Sequence, residues 1–218
     1  MKNKALEYLN KNKLLYMGMI ESIRRNTSDI LYAKNDGVLI RERNSNVYMI
    51  CADNFEKGRD MIKHLNCVNV IVAHEKELAD YIQDKFNLNE RLECVQAVYL
   101  NRKSIDINNE IYIEKLKQEH IDILLEHYNL LSREELAELL KKEHIFGGYK
   151  NGVLIGFIGI HLEGSIGLLE IFPQYRRSGY GTVLESFLIN YMLKKNFVPF
   201  AQIEIKNEKS LLLQKNLG

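Results

Sequence analysis

The stretch from Pro173 to Leu188, PQYRRSGYGTVLESFL, sets Arg176, Gly179 and Gly181 in an Arg-x-x-Gly-x-Gly spacing where an apolar strand pattern gives way to a helical one. The N–H groups that open a helix have no intrahelical partner, and the helix dipole gives them partial positive charge. Gly179 and Gly181 admit dihedrals closed to other residues and let a ligand approach the main chain. Arg176 and Arg177 add positive charge beside them. That combination suits an anion, and a pyrophosphate in particular. The helix that follows is well specified: Val183, Leu184, Phe187, Leu188, Tyr191 and Met192 share one apolar face, and Lys194 and Lys195 fall in the last turn. Two glycines between a strand and a helix also make an ordinary turn, so the residues alone leave both readings open. Nucleotide loops fit poorly. The lysine and Ser/Thr of a Walker loop are missing, and Leu184 stands where a dinucleotide loop needs its third small residue.

Such a turn has to be held by a folded domain, and the composition provides for one. The 218 residues are 46% hydrophobic and 27% charged, enough apolar mass for a core, and the net charge of +1 gives no reason to expect nucleic acid or an anionic membrane as partner. No apolar run reaches the ~18 residues of a membrane span, and the lysine-rich start lacks the apolar centre of a signal peptide. Cys51, Cys67 and Cys94 have no metal-like spacing, so the expectation is reduced, packed thiols in a cytoplasmic protein that binds no metal.

Along the chain the patterns predict a first helix over Asn3–Arg24 and a hairpin through Asn35-Asp36-Gly37. A strand VYMICA, a helix near Phe55–Leu65, a buried strand VNVIVA, a helix over Glu75–Phe86 and a strand LECVQAVYL follow. The polar run Asn101–Asn109 reads as a linker. Beyond it come IYIEKL, helices near Glu119–Tyr128 and Arg133–Glu143, a hairpin through Lys150-Asn151-Gly152, and IGLLEIF. The glycine turn, FAQIEI and a last helix from Asn207 complete the pattern.

The halves echo one another. YAKNDGVLIRE matches GYKNGVLIGF, and VIVAHEKELADYIQDKF matches AQIEIKNEKSLLLQKNL, so strand, hairpin, strand, helix, strand, helix recur in order. The first half then adds LECVQAVYL, whereas the second ends at Gly218. The expectation is a last strand missing from the second half, through truncation or because something else covers that edge.

With its flanks, LLEIFPQYRRSGYGTVLESFL resembles the coenzyme A-binding motif of the GNAT superfamily of N-acetyltransferases, through Ile171, Pro173, Arg176, Gly179 and Gly181. NEKSLLLQKNLG resembles the family's closing segment through Asn207, Ser210, Leu213, Leu217 and Gly218. The resemblance covers Ile111–Gly218 and is similar in style to the glycine N-acyltransferase-like branch, where a degenerate GNAT-like half precedes the active one.

The resemblance implies an α/β fold (α+β, mixed sheets) of two tandem GNAT-like lobes, each a mixed, mostly antiparallel sheet flanked by helices. Residues 1–105 would be the degenerate domain and 110–218 the acetyltransferase domain. It further implies acyl transfer, usually acetyl, from acetyl-CoA to a primary amine of a small molecule or peptide. Arg176, Arg177, Ser178, Gly179, Tyr180, Gly181 and Thr182 would hold the pyrophosphate. Glu170, Ile171 and Phe172 would meet the pantetheine arm through their main chains, an N–H near Ile171 would face the oxyanion, and Asn207 would bind the coenzyme. The first half, with DNFEKGRDMI at the matching junction, should bind none.

Proton transfer departs from the family. Its base often stands four or six residues before the Ile171 place, where this chain has Gly167 and Ser165. Glu163, Glu170 and Glu204 are the nearest carboxylates, though each reads more readily as a solvated turn or strand-face charge, and His161 as an ordinary strand-end residue. Gln214 stands where a tyrosine often protonates the thiolate, leaving Tyr175, Tyr180 or water for that task. Glu163, Glu170 and Tyr180 are therefore the catalytic candidates, and a coenzyme A-binding module without catalysis is the alternative. The acceptor is not encoded in any recognisable pattern; Tyr128, Phe146 and Tyr149 are candidate groove residues. A homodimer is compatible with the sequence, which does not fix the oligomeric state.

Overall fold

Asn151 (φ +51) and Gly152 (φ +79) both lie in the left-handed region, the geometry of a tight turn whose twist matches that of the two strands it joins. The matching loop of the first half, Asn35-Asp36, has neither residue at positive φ. The computed structural model describes residues 1–107 and 110–218, which divide into units Met1–Gln96 and Ala97–Gly218.

The first unit contains helices α1 (Lys2–Leu9) and α2 (Met17–Arg24), strands β1 (Ser28–Lys34), β2 (Gly37–Glu42) and β3 (Tyr48–Ala52), helix α3 (Phe55–Ile62), strand β4 (Ile71–Ala73) and helix α4 (Lys76–Phe86). Its sheet runs β1-β2-β3-β4, antiparallel except for the parallel pair β3 and β4. Leu39 and Ile50 on the sheet pack against Ile62 of α3 and Leu78 and Ile82 of α4. Two expectations are corrected here. The single helix over Asn3–Arg24 is broken: the Asn10 side chain donates to the Leu6 carbonyl at 2.6 Å and Asn12 Oδ1 accepts from the Leu15 N–H at 3.4 Å. Asparagine side chains that bond nearby backbone compete with the helical ladder in this way. VNVIVA is a short edge strand, half-buried, with Val70 54% exposed, rather than a buried one.

The second unit's sheet has six strands in the order β5-β10-β9-β8-β7-β6. They are β5 (Cys94–Val98), β6 (Tyr112–Lys115), β7 (Ile145–Lys150), β8 (Val153–Ile160), β9 (Ile166–Ile171) and β10 (Phe200–Glu204). Helices α5 (Ile121–His127) and α6 (Arg133–Lys141) precede β7, α7 (Tyr180–Lys194) joins β9 to β10, and α8 (Glu208–Leu217) follows. Strands β6 to β9 pair antiparallel, and β9 and β10 pair parallel. Leu184, Leu188 and Met192 of α7 meet Ile158, Ile160 and Ile203 in one core. On the other side Leu124 of α5 and Leu136 and Leu140 of α6 meet Phe157, Leu168 and Phe172.

LECVQAVYL, counted from sequence with the first half, lies in this second sheet. β5 straddles the division of the chain and stands beside β10, with the Tyr99 N–H donating to the Pro199 carbonyl at 3.0 Å. The edge expected to lack a strand is thus paired. Part of the predicted linker is also fixed: the main-chain N–H and C=O of Ile105 each bond the Asn190 amide side chain at 2.8 Å. Asn108 and Asn109 of that run lie outside the described residues.

Candidate active site

After β9 the chain makes a single 3-10 turn, Pro173–Tyr175, then Arg176 extends (φ −68, ψ +161), and Arg177 (φ +65) and Gly179 (φ +79) enter the left-handed region. A non-glycine residue held there costs about 1–3 kcal/mol, and such strain clusters at ligand sites. Left-handed residues within such a turn can bring neighbouring N–H groups to one side of the chain, as anion-binding concavities do. The N–H groups of Arg177, Ser178, Gly179, Tyr180, Gly181 and Thr182 meet no acceptor among the described residues, and Arg176 to Gly179 are exposed. Gly179 caps α7 with no side-chain acceptor, and a Cβ there would meet nothing within 4 Å. The matching helix of the first unit differs: Asn54 Oδ1 already accepts from the Lys57 N–H at 3.1 Å.

Arg176 turns away from these amides. Its Nε donates to the Ile171 carbonyl at 2.8 Å and its guanidinium pairs with Glu170 at 2.7 Å, fixing the exit of β9.

A second feature lies upstream in β9. Leu168 has φ +54, and the pairing with β8 slips between Phe157 and Gly159, so β9 carries a bulge there. β9 and β10 share one bridge, Ile166 opposite Ala201, and no further ladder pairing joins them among the described residues. The Phe172 N–H donates to the Ile155 carbonyl at 2.9 Å. Antiparallel alternation then turns the main-chain groups of Leu169 and Ile171 away from β8, toward the parting of β9 from β10. Gly181 borders the same opening, with its Cβ position 3.9 Å from side-chain atoms of both Leu169 and Ile171. One open strand edge thus runs from the bulge to the amide cluster, about 10 Å from Leu168 to Ile171 at ~3.3 Å per residue.

The candidate residues fall into separate places. Ile171, Phe172 and Arg176 to Thr182 are contiguous at the end of β9 and the start of α7. Tyr180 is buried, and its hydroxyl accepts from Lys150 Nζ, at the end of β7; this lies on the far side of β9 from the opening. Glu163 accepts from the Ser165 hydroxyl in the turn before β9. Glu170 is held by Arg176. Asn207 caps α8, its Oδ1 accepting from the Ser210 N–H at 3.1 Å. Glu204 is exposed at the end of β10. Phe146 is core, in edge contact with Phe187 and Tyr191, and the Tyr149 hydroxyl lies 3.2 Å from His120 Nε2.

Sequence reasoning missed two side chains. His127, at the end of α5, stacks on Phe172 with ring centroids 3.9 Å apart. No local pattern marks it, because the contact joins distant parts of the chain. Beside it Tyr128 is mostly buried, and burial, then the Glu170 charge, pushes its phenol pKa up. The second is Glu185, 2% exposed on α7, which accepts from Gln214 Nε2 at 2.8 Å. Burial raises its pKa despite that hydrogen bond. Its place on the helix beside Leu184 and Leu188 is a signal that could have found it. Among the described residues no three His, Cys, Asp or Glu gather as metal ligands, and no helix is long and apolar enough to cross a membrane.

The fold is a mixed α/β arrangement, with sheets of four and six strands flanked by helices. Solved structures share it. A Drosophila protein from a structural genomics programme has a TM-score of 0.70 at 14% identity, covering 100% of this chain and 91% of its own. A GCN5-related N-acetyltransferase-like protein from Streptococcus suis has a TM-score of 0.54 at 14% identity, covering 98% and 94%. A GNAT-family acetyltransferase from Colwellia psychrerythraea has a TM-score of 0.51 at 13% identity, covering 98% and 92%. No curated protein matches the chain. The sequence model of the acetyltransferase (GNAT) family matches residues 88–218, and the chain belongs to that family.

Proposed function

We propose that this protein is an acyl-CoA-dependent N-acyltransferase that moves acetyl from acetyl-CoA to a primary amine of a small molecule or peptide. The observation that carries the reading is the row of unpartnered N–H groups from Arg177 to Thr182, in a turn exposed over Arg177 to Gly179 and continuous with the open edge of β9. The amides would hold the pyrophosphate, and the outward main-chain groups of Leu169 and the N–H of Ile171 would bond the pantetheine arm. The thioester carbonyl would then reach an N–H of β9 beside the bulge. The amine nitrogen attacks the carbonyl carbon, the oxygen gathers negative charge against that N–H, the C–S bond breaks, the nitrogen gives up a proton and the thiolate gains one. One oxyanion donor of this kind typically contributes about 2.7–4 kcal/mol, and holding amine and thioester together supplies proximity.

The first unit fits a degenerate GNAT-like half, as in the glycine N-acyltransferase-like branch. From α1 on, its strands and helices follow the order that the second unit has from α5 on, and Asn54 occupies its helix start. On this reading each chain takes one acetyl-CoA and works in the cytoplasm. Titration calorimetry with acetyl-CoA tests it: the expected result is one site per chain, and no heat at millimolar ligand would reject it. A second reading, a coenzyme A-binding module without turnover, is favoured by Gly167, Ser165 and Gln214 at positions where proton-transfer groups are expected. Thiol release with any amine would eliminate that alternative.

A further inference from the structure

Gly167 has no room for a side chain, and the reason is His161. A Cβ built on Gly167 would overlap His161 Nε2 and lie 2.6 Å from its Cδ2 and 3.4 Å from its Cε1. An imidazole from the residue after β8 therefore fills the volume that a side chain at 167 would occupy. Gly167 follows Ile166, which belongs to the α7-side core, so alternation turns it to the α5–α6 face. It also immediately precedes the bulge at Leu168, where β9 leaves β10. The main chain clamps the turn: the His161 N–H donates to the Ser165 carbonyl at 2.9 Å and the Gly164 N–H to the His161 carbonyl at 2.9 Å. Neither imidazole nitrogen has a hydrogen-bond partner or is sealed from solvent among the described residues.

Of the other titratable groups on this face, His127 stacks on Phe172 at the far end of β9 and the rest are engaged. Glu163 accepts from Ser165, Glu170 pairs with Arg176, and His144 Nδ1 lies 3.1 Å from the Ile160 carbonyl. Tyr128, reaching in from α5, is mostly buried with its pKa raised. His161 thus combines an uncommitted proton acceptor with a position at the bulge. The geometry points to His161 as the general base that takes the proton of the acceptor amine, delivered across the hairpin to the place beside Gly167. This rests on the acyl-transfer reading above. The step is balanced: the amine nitrogen forms the C–N bond, its proton passes to an imidazole nitrogen, and that nitrogen returns it to solvent after the thiolate departs.

The test uses the full chain, acetyl-CoA, and a panel of ethanolamine, benzylamine, putrescine and a lysine-containing peptide, with thiol release as readout. His161→Ala should lower kcat/KM about a hundredfold, the lower end for a general base. It should also remove the inflection on the acid side of the pH–rate profile, while acetyl-CoA affinity by calorimetry stays within twofold. His161→Gln serves if the alanine variant does not fold. The double variant His161→Ala with Gly167→Glu should regain at least tenfold, with the inflection moved into the carboxylate range. An unchanged rate and inflection in the single variant, affinity lost in parallel with rate, or a double variant as slow as the single one would each overturn the assignment. Failure of the native chain to bind acetyl-CoA defeats the acyl-transfer reading first. If it binds but no amine turns over, the His161 ring-proton resonances decide, assigned by their loss in the variant. Displacement on saturation with acetyl-CoA supports the assignment and no displacement overturns it.

Discussion

Arg176 Nε donates to the main-chain carbonyl of Ile171 at 2.8 Å, and the same guanidinium grips Glu170 at 2.7 Å. The arginine of the glycine-rich turn thus acts on the strand it follows. It closes the outward-facing carbonyl at the end of β9 and sets the path of the amides beyond. Arg176→Ala should lower acetyl-CoA affinity by up to about tenfold, ~1.4 kcal/mol, an upper figure because the side chain is 53% exposed and screened by solvent. Arg176→Lys should behave like the alanine variant, since a point charge cannot make both bonds of the planar fork. Calorimetry on the two variants checks this.

Gly179 is left-handed at φ +79 with open space around it, so backbone strain and ligand contact can be separated there. Gly179→Val should fold, at a local cost of roughly 1–2 kcal/mol for the left-handed dihedral, and should lose acetyl-CoA affinity by more than tenfold. Gly179→Asn, which tolerates that dihedral, should keep most of it. Equal affinities in native protein and valine variant would mean the amides hold no anion.

The buried carboxyl of Glu185 predicts a pH dependence of stability. Its folded pKa lies above the ordinary glutamate range because of burial, with the Gln214 bond opposing. The folded state therefore binds this proton more tightly than the unfolded chain does. Stability from this group is fully present below the unfolded value of ~4.3 and is lost as pH rises through the elevated folded value. Glu185→Gln should abolish that decline and match or exceed the native protein above it. Urea unfolding between pH 4 and 9, native against variant, gives the measurement.

The thiols should report on burial. Cys51 is fully buried and its pKa is pushed up to about 12, chiefly by desolvation, while Cys67 and Cys94 are exposed. The expectation of packed thiols holds for Cys51 alone. An aromatic disulfide reagent should modify two cysteines per native chain quickly and the third only on unfolding. Rapid modification of all three would show that β3 opens readily.

Much of the fold was legible because the signals are local. The turns through Asn35-Asp36-Gly37 and Lys150-Asn151-Gly152 and the apolar face of α7 each need only a few neighbouring residues. Boundaries slipped where side chains bond their own backbone, as at Asn10 and Asn12. The strand at Cys94–Val98 was recognised, but not its partner, because a period-two pattern states that a strand exists and not which edge it joins.

At the site the division is the same. By itself the sequence determined that unpaired amides would stand at the start of α7, because glycine spacing and helix polarity are properties of adjacent residues. Only the tertiary structure decided that Arg176 turns back to β9, that Glu185 meets Gln214, that His127 lies on Phe172 and that His161 fills the space above Gly167. Those contacts join segments far apart along the chain, and their partners are selected by packing, which no local pattern records.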